Sequence, residues 1–161
     1  MPPRTTGTPI RCIIVDDDRR FRRVVNDVLN YEGIVVAGLA STSAEALSLA
    51  GRHLPDVVLV DVALGAESGF DLARRLIGAA LGCQPTVVLM SAYAEDDIRP
   101  MLEASPAAAF IPKSAISGSA IRAAHRRHRE RAAFHGEIER PCRSARPATP
   151  KPKGSGAFSV E

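Results

Sequence analysis

Short apolar runs alternate with helical patterns along most of this chain, and this alternation limits the folds that it can adopt. Continuous apolar runs of this length are typical of strands that are buried on both faces. Each run is followed by apolar residues at helical spacing, and strands alternating with helices predict a parallel sheet covered on both faces. The five runs, of which the last is the weakest, are Ile10–Val15, Ile34–Leu39, Val57–Val60, Thr86–Met90 and Ala107–Ile111.

The predicted helices also have recognisable beginnings. Asp18 precedes the first helix as an expected N-cap, and Thr42 with Glu45 has the spacing of a capping box before the second. Pro100 is expected in the first turn of the fourth helix. The apolar stripes of helices one to five are Phe21/Val24/Val25/Val28/Leu29, Ala46/Leu47/Ala50, Phe70/Ala73/Leu76/Ile77, Ile98/Met101/Leu102 and Ile116/Ala120/Ile121/Ala124.

Composition narrows the class of protein further. The chain has 161 residues, of which 45% are hydrophobic, and Trp is absent, so the core must be aliphatic. Cys12, Cys83 and Cys142 are an odd, widely spaced set without metal-site spacing, which indicates reduced thiols. The first residues lack the apolar stretch of a signal peptide, and no run is long enough to span a membrane. We therefore expect a cytoplasmic protein.

Charge divides the chain into an acidic body and a basic end. Residues 1–113 hold 11 Lys/Arg and 14 Asp/Glu, whereas residues 114–161 hold 10 Lys/Arg and 4 Glu, which together give the net charge of +3. The final stretch is rich in Arg, Pro, Ser and Gly and has no second set of core positions. We predict one domain over residues 8–126 and a basic, largely disordered tail over residues 127–161. The tail is expected to begin as a fraying continuation of the last helix and to be disordered from about Arg140.

Carboxylates stand at the ends of two predicted strands. Asp16, Asp17 and Asp18 follow the first strand, and Asp61 ends the third. In open parallel sheets the functional site lies beyond the carboxyl ends of the strands, where these groups can meet. Crowded carboxylates repel unless a cation intervenes, and Mg²⁺ prefers such oxygen ligands. A carboxylate beside Mg²⁺ can also act as a nucleophile towards phosphorus.

Two further strand ends carry groups that suit phosphoryl transfer. Ser91 closes the fourth strand, and its hydroxyl can bond a phosphoryl oxygen. Lys113 follows the fifth strand, and its ammonium group can pair with the phosphoryl charge. Phosphoryl transfer depends mainly on positioning and on charge neutralisation, which Asp61, Ser91 and Lys113 together would supply.

The sequence resembles the receiver domain of two-component response regulators. The matching stretches are IIVDDD, PDVVLVDVALGAESGFDL, VVLMSA and AAAFIPKS, in this order, within a pattern that covers residues 10 to about 124. The resemblance implies a doubly wound, flavodoxin-like (βα)₅ fold with a five-stranded parallel sheet. It also implies a phosphoprotein that is not a metabolic enzyme, although it would catalyse its own phosphorylation and dephosphorylation.

The resemblance assigns a role to each site residue. Asp61 would be the phosphoacceptor, with Mg²⁺ held by Asp16, Asp17, Asp61 and the backbone carbonyl of Ala63. Ser91 and Lys113 would contact the phosphoryl group. Ser91 and Phe110 would form the switch that changes the surface made by the fourth helix, fifth strand and fifth helix. The implied phosphodonor is a sensor histidine kinase or a phosphotransfer protein, and the changed surface could support a homodimer.

Departures from the family pattern bear on the phosphoryl lifetime. Leu64–Gly65 stands where a Met-Pro pair is usual, and Ala63 and Tyr93 occupy the two positions that influence hydrolysis in the family. Ala63 cannot position a water molecule, and Tyr93 could shield the phosphoryl group. The departures therefore predict slow autodephosphorylation.

Other functions stay open from the sequence. The basic end could bind nucleic acid through its clustered arginines, or the chain could be a truncated transcription regulator. Only 48 residues follow Lys113, and they offer few apolar positions for a DNA-binding domain. A haloacid-dehalogenase-type phosphatase is disfavoured, because that class needs a second Asp two residues after the nucleophile and Asp61 is followed by Val62 and Ala63.

Overall fold

The computed structural model describes residues 7–79 and 84–136. Its strands are β1 (Arg11–Val15), β2 (Val35–Ala40), β3 (Val57–Asp61), β4 (Ala63–Leu64), β5 (Glu67–Ser68), β6 (Thr86–Ser91) and β7 (Ala109–Pro112). Its helices are α1 (Arg19–Tyr31), α2 (Ser43–His53), α3 (Gly69–Gly78), α4 (Glu95–Glu103) and α5 (Gly118–Phe134), with a 3₁₀ turn at Lys113–Ala115.

Five strands form one parallel sheet in the order β2-β1-β3-β6-β7. Successive side chains of a strand point to opposite faces, so each of the central strands supplies two cores. Val58 and Val60 of β3 enter one core with α2, α3 and α4, while Val57 and Leu59 enter the other with α1 and α5. The predicted five-stranded, doubly wound architecture is confirmed.

The predicted helix beginnings agree with the structure at two places. The Asp18 side chain accepts hydrogen bonds from the backbone N–H groups of Arg20 and Phe21, which makes Asp18 the N-cap of α1. Thr42 Oγ1 accepts from the N–H of Glu45 at 3.2 Å, and the Glu45 carboxylate accepts from the N–H of Ser41 rather than from that of Thr42 itself.

The predicted position of Pro100 within the fourth helix is wrong. It lies in the interior of α4 and not in its first turn, because the helix already begins at Glu95. The acidic residues Glu95, Asp96 and Asp97 fill the first turn, where negative charge is favoured by the helix dipole. The apolar stripe at Ile98 therefore begins one turn into the helix and not at its start.

The exposure of α1 and the extent of α5 can be compared with the sequence-based expectation. The stripe of α1 is buried only at Val25 and Leu29, while Val24 and Val28 are 56% and 40% exposed. The last helix, α5, extends through residues 127–134, at the start of the predicted basic tail, where a fraying continuation of this helix is expected from the sequence. The rest of that predicted tail, from residue 137 onwards, lies outside the described residues, as do Cys83 and Cys142.

Candidate functional site

Four strand ends meet at one edge of the main sheet. Asp16 directly follows β1, Asp61 is the last residue of β3, Ser91 is the last residue of β6, and Lys113 directly follows β7. The parallel register places Asp61 beside Met90 and Ser91 beside Pro112. The structure therefore brings the predicted residues from distant parts of the sequence to the same end of the fold.

Three carboxylates form the centre of this site. Asp16, Asp17 and Asp61 each place one carboxylate oxygen within 4.8 Å of the others. Asp16 and Asp61 are buried, with exposed fractions of 0% and 5%, whereas Asp17 is exposed. Two buried carboxylates at this separation destabilise each other's charged form unless a positive charge compensates.

Lys113 supplies part of that compensation. Its Nζ lies 2.6 Å from Asp16 Oδ2 and 2.8 Å from Asp61 Oδ2. Burial lowers the pKa of Lys113, but its close contacts with the two carboxylates and their negative charges more than offset this, so its pKa lies above the ordinary lysine value. Lys113 is therefore charged at neutral pH and bridges the ends of β1 and β3.

Asp16 is incompletely satisfied by this arrangement. Its Oδ1 accepts a hydrogen bond from the N–H of Asp18 at 2.8 Å. Its fully buried Oδ2 has no hydrogen-bond partner among the described residues, so its approach to Lys113 is an ion-pair contact without hydrogen-bond geometry. Burial raises the pKa of Asp16, although Lys113 and the N–H of Asp18 act in the opposite direction.

Asp16 Oδ2 and the neighbouring carboxylate oxygens suit a hard divalent cation. Mg²⁺ takes oxygen ligands from one or two carboxylates and keeps several waters, and it would neutralise the remaining negative charge. Asp16 Oδ2, an Asp61 oxygen and the exposed carboxylate of Asp17 would be its side-chain ligands. The donor set therefore suits Mg²⁺ better than a softer metal, because it contains only oxygen.

The segment after Asp61 fixes the direction of its carboxylate. Asp61 Oδ1 accepts a hydrogen bond from the N–H of Ala63 at 3.1 Å. Ala63 lies in β4, which pairs with β5 in a two-stranded hairpin that the sequence analysis did not predict. Gly65 turns the hairpin with a φ of +60°, a left-handed conformation that glycine adopts without steric cost.

Gly69 is a residue that the sequence analysis missed. A Cβ atom at this position would lie 2.0 Å from the backbone carbonyl oxygen of Asp61, so no other residue fits without moving the strand end. The N–H of Gly69 also donates to the carbonyl of Val62 at 2.9 Å. The only available signal was a glycine at the start of a predicted helix, which is too common to single out.

The two predicted switch residues lie on neighbouring strands. Ser91 is 1% exposed, and its Oγ accepts a hydrogen bond from the N–H of Tyr93 at 3.0 Å. The Tyr93 side chain is 62% exposed. Phe110 of β7 is half-buried against the core that α2, α3 and α4 share.

Phe21 also contributes to the site, although the sequence indicates only that it belongs to the apolar stripe of α1. Its ring centroid lies 4.4 Å from Lys113 Nζ, which places the ammonium over the aromatic face. Phe21 is half-buried in the first turn of α1, close to the strand end that carries Asp16. Its aromatic face therefore forms one side of the environment of the lysine.

Comparison with known families identifies this arrangement. The model of the response regulator receiver domain matches residues 12–125. The chain belongs to this family. Response regulators with receiver domains operate in two-component systems, and such domains as a rule bind Mg²⁺ and carry an aspartyl phosphate. The resemblance inferred from the four sequence stretches is thus confirmed.

Curated relatives of this receiver domain belong to longer proteins. The transcriptional regulatory protein PdtaR of Mycobacterium tuberculosis is 30% identical over 135 residues, which cover 82% of this chain and 64% of PdtaR. A protein-glutamate methylesterase/protein-glutamine glutaminase of Alkalilimnicola ehrlichii is 33% identical over 153 residues, or 91% of this chain and 38% of the relative. The chain thus spans less than two thirds of the length of either relative.

Solved structures agree with the fold. The signal receiver domain of NarL from Mycobacterium tuberculosis has a TM-score of 0.63 and 28% identity, covering 73% of this chain and 98% of that structure. A CheY-like receiver domain from Methanospirillum hungatei has a TM-score of 0.63 and 21% identity, covering 80% of this chain and all of that one. In the part of the chain that the structure describes, no helix is both long and apolar enough to cross a membrane.

Proposed function

We propose that this receiver domain is a phosphoacceptor switch that is phosphorylated on Asp61 by a partner histidine kinase or phosphotransfer protein. The observation that carries the proposal is the pair of buried carboxylates, Asp16 and Asp61, that share Lys113 while one Asp16 oxygen stays without a hydrogen bond. Such a site has an excess of negative charge and one positioned cation. It suits a bound divalent ion and a transferred phosphoryl group.

Each residue would have a defined part in the transfer. An Asp61 carboxylate oxygen attacks the phosphorus of the donor, and the bond from phosphorus to the donor nitrogen breaks. Lys113, already 2.8 Å from Asp61 Oδ2, pairs with the charge that arrives with the phosphoryl group. Asp16, Asp17, Asp61 and the Ala63 carbonyl would hold Mg²⁺, which would supply positive charge to the phosphoryl oxygens.

Phosphorylation would change the conformation of Ser91 and Phe110. The Ser91 hydroxyl gives up the N–H of Tyr93 and turns towards a phosphoryl oxygen, and Phe110 fills the space that this opens. The face made by α4, β7 and α5 then changes its partners, which include a second copy of the chain. The phosphoryl contacts must favour one of two states for this to work.

An apolar ridge on α1 suits the docking of the phosphodonor. Phe21, Val24, Val28 and Tyr31 follow one another at helical spacing from the Lys113 side of the site. Val24, Val28 and Tyr31 are 56%, 40% and 88% exposed, which is unusual for apolar residues on one stripe. A helix of the donor that covered this ridge would bring its phosphohistidine near Asp61. The proposed cellular setting is the cytoplasm.

The test is intact-protein mass spectrometry after incubation with acetyl phosphate, with and without Mg²⁺. We expect a gain of one phosphoryl group that requires Mg²⁺ and that is absent from Asp61→Asn. The matched control is Asp56→Asn, which changes an aspartate at the opposite end of β3. A folded wild-type protein that gains no phosphoryl group from acetyl phosphate or from a panel of phosphorylated histidine kinases would overturn the proposal.

The proposed lifetime of the phosphoryl group is long. Ala63 and its exposed side chain offer no group to orient a water, and Tyr93 stands next to the Ser91 hydroxyl. We expect Ala63→Asn to shorten the half-life of the phosphorylated protein, because an amide can position the attacking water. Loss of radiolabelled phosphate measures this, and an unchanged half-life in Ala63→Asn would contradict it.

A second candidate output is nucleic-acid binding through α5. Arg126, Arg127 and Arg131 are exposed on the C-terminal half of α5, from the predicted domain boundary at residue 126 onwards. Clustered arginines bind phosphates in a salt-dependent way, and the relative PdtaR is a transcriptional regulatory protein by name. The test is an electrophoretic mobility shift of DNA and RNA at two salt concentrations. Wild-type protein should retard the nucleic acid more at low salt, and replacement of Arg126, Arg127 and Arg131 by Gln should abolish the shift.

A further inference from the structure

The Lys113 ammonium lies close to two carboxylates and to one aromatic ring. The carboxylates of Asp16 and Asp61 lie at 2.6 and 2.8 Å from its Nζ. The aromatic ring is that of Phe21, whose centroid lies 4.4 Å away. The side chain of Lys113 is only 17% exposed, and the ring is one of the groups that separate it from water.

Phe21 is itself held in place by the fold. It lies in the first turn of α1, where its N–H donates to the N-cap carboxylate of Asp18 at 3.2 Å. Its side chain packs against the core that α1 and α5 share. The ring is therefore a fixed surface, whereas a lysine side chain is flexible and loses conformational freedom when its ammonium is held.

The contact also involves an unusual residue for this chain. Lys113 is the only lysine before Lys151, while arginine supplies every other cationic side chain of residues 1–150. An ammonium over an aromatic face is attracted by the negative face of the ring, more strongly when the site is dry. Leucine at position 21 would fill similar space without this attraction.

We propose that Phe21 is a positioning residue whose ring holds the Lys113 ammonium against Asp61, ready to pair with an incoming phosphoryl group. This inference rests on the proposed function, because the benefit appears when Lys113 meets the phosphoryl charge. Without the ring, Lys113 would sample more orientations and would bind the phosphoryl group less tightly.

The first test measures the affinity for beryllofluoride, a mimic of the phosphoryl group, in saturating Mg²⁺ by calorimetry. We expect Phe21→Leu to weaken this affinity by about three- to fivefold, the size of a partly shielded cation–π contact. Phe21→Tyr keeps the aromatic face and should restore the affinity to within about twofold of wild type. The matched control is Phe134→Leu, the same change at an 88% exposed ring on α5, which should have no effect.

A double-mutant cycle separates positioning from a general structural role. If the ring acts through Lys113, Phe21→Leu should cost nothing further in a Lys113→Gln background, although the affinity of that background is lower. An equal loss in both backgrounds would overturn the inference, and so would a Phe21→Tyr variant as weak as Phe21→Leu. Affinity for Mg²⁺ alone should be the same in wild type and Phe21→Leu.

A second measurement keeps the inference testable if the proposed function fails. Lysine labelled with ¹³C at Cε gives only three signals in this chain, and the ring should shift the protons of Lys113 Cε upfield. Loss of that shift in Phe21→Leu, with retention in Phe21→Tyr, supports the contact whether or not beryllofluoride binds. A Lys113 signal that is unchanged by Phe21→Leu overturns the inference. A wild-type protein that shows the shift but neither binds beryllofluoride nor becomes phosphorylated overturns only the proposed function.

Discussion

The two ends of the sheet use polar residues in opposite ways. At the amino end of the strands, Asp56 Oδ2 accepts from the N–H of Arg11 at 2.8 Å, and Thr86 Oγ1 lies 2.7 Å from His125 Nδ1. Asp56 thus accepts a backbone hydrogen bond, and Thr86 and His125 form a hydrogen bond with each other. At the carboxyl end, Asp16 and Asp61 are buried together and share one lysine, while Asp16 Oδ2 accepts no hydrogen bond among the described residues.

The difference separates polar residues whose hydrogen bonds are completed within the fold from polar residues whose charges are only partly compensated. A buried polar group that is not satisfied costs free energy, and so does a pair of close like charges. The fold tolerates this cost at the carboxyl end, where a cation and a phosphoryl group would relieve it. Substitutions at the carboxyl end can therefore be compared with matched substitutions at the amino end.

The largest expected effect is the response to Mg²⁺. At about a hundredfold excess over its dissociation constant, Mg²⁺ should raise the free energy of unfolding by about 2.7 kcal/mol, because it binds only the folded state. Urea denaturation with and without Mg²⁺ measures the change. Asp56→Ala at the amino end should keep the full increment, and Asp17→Asn should reduce it. An equal increment in both variants would place the bound ion elsewhere.

The next effect is the loss of the shared lysine. In Mg²⁺-free buffer, Lys113→Met should lower the free energy of unfolding by about 2 kcal/mol, because two buried carboxylates lose their cation. The control is Arg74→Met, which removes an exposed ion pair with Asp71 and should change stability by less than about 0.5 kcal/mol. A Lys113→Met protein as stable as wild type would show that repulsion between the Asp16 and Asp61 carboxylates does not destabilise the fold.

Neutralising one aspartate at each end should give changes of opposite sign. Asp16→Asn keeps an acceptor for the N–H of Asp18 and removes a buried charge, so it should stabilise the Mg²⁺-free protein by about 1 kcal/mol. Asp56→Ala removes the acceptor for the N–H of Arg11 and should destabilise it by about 1 kcal/mol. Thermal unfolding of both variants checks this, and changes of the same sign would remove the distinction between the ends.

The smallest effect is a difference in pH dependence. Hydrogen bonds from Ser43 lower the pKa of Glu67, so its contribution to stability is present above its unfolded pKa and is lost as the pH falls through the folded value. Burial raises the pKa of Asp16, so its contribution is present below its unfolded pKa and is lost as the pH rises through the folded value. In a plot of the free energy of unfolding against pH, Glu67→Gln should reduce the loss of stability at acidic pH. Asp16→Asn should reduce the loss of stability that occurs as the pH rises from the acidic range.

The sequence predicts the fold well because its signals are local. Apolar runs with β-branched residues define the five main strands to within about two residues, the usual uncertainty of such boundaries. Asp18 and Thr42 cap their helices as their residue types indicate. The β4–β5 hairpin is missed because two-residue strands have no periodicity, and Pro100 is misplaced because the acidic first turn of α4 has no apolar stripe.

The site is predicted less completely, because its geometry depends on contacts between distant residues. The strand-end rule brings Asp16, Asp61, Ser91 and Lys113 together from the sequence alone. The Phe21 contact with Lys113 joins residues 92 positions apart, and a helical stripe at Phe21 indicates only packing. The need for glycine at position 69 arises from the carbonyl of Asp61, which no sequence pattern reveals.

The central claim is that Asp61, among the three clustered carboxylates, accepts the phosphoryl group. The most direct measurement treats the phosphorylated protein with sodium borohydride, which converts an aspartyl phosphate into homoserine, and then sequences its peptides by mass spectrometry. The account predicts homoserine at position 61 only, and only when Mg²⁺ was present. Homoserine at position 16 or 17, or none at position 61 in a protein that had gained a phosphoryl group, would contradict it.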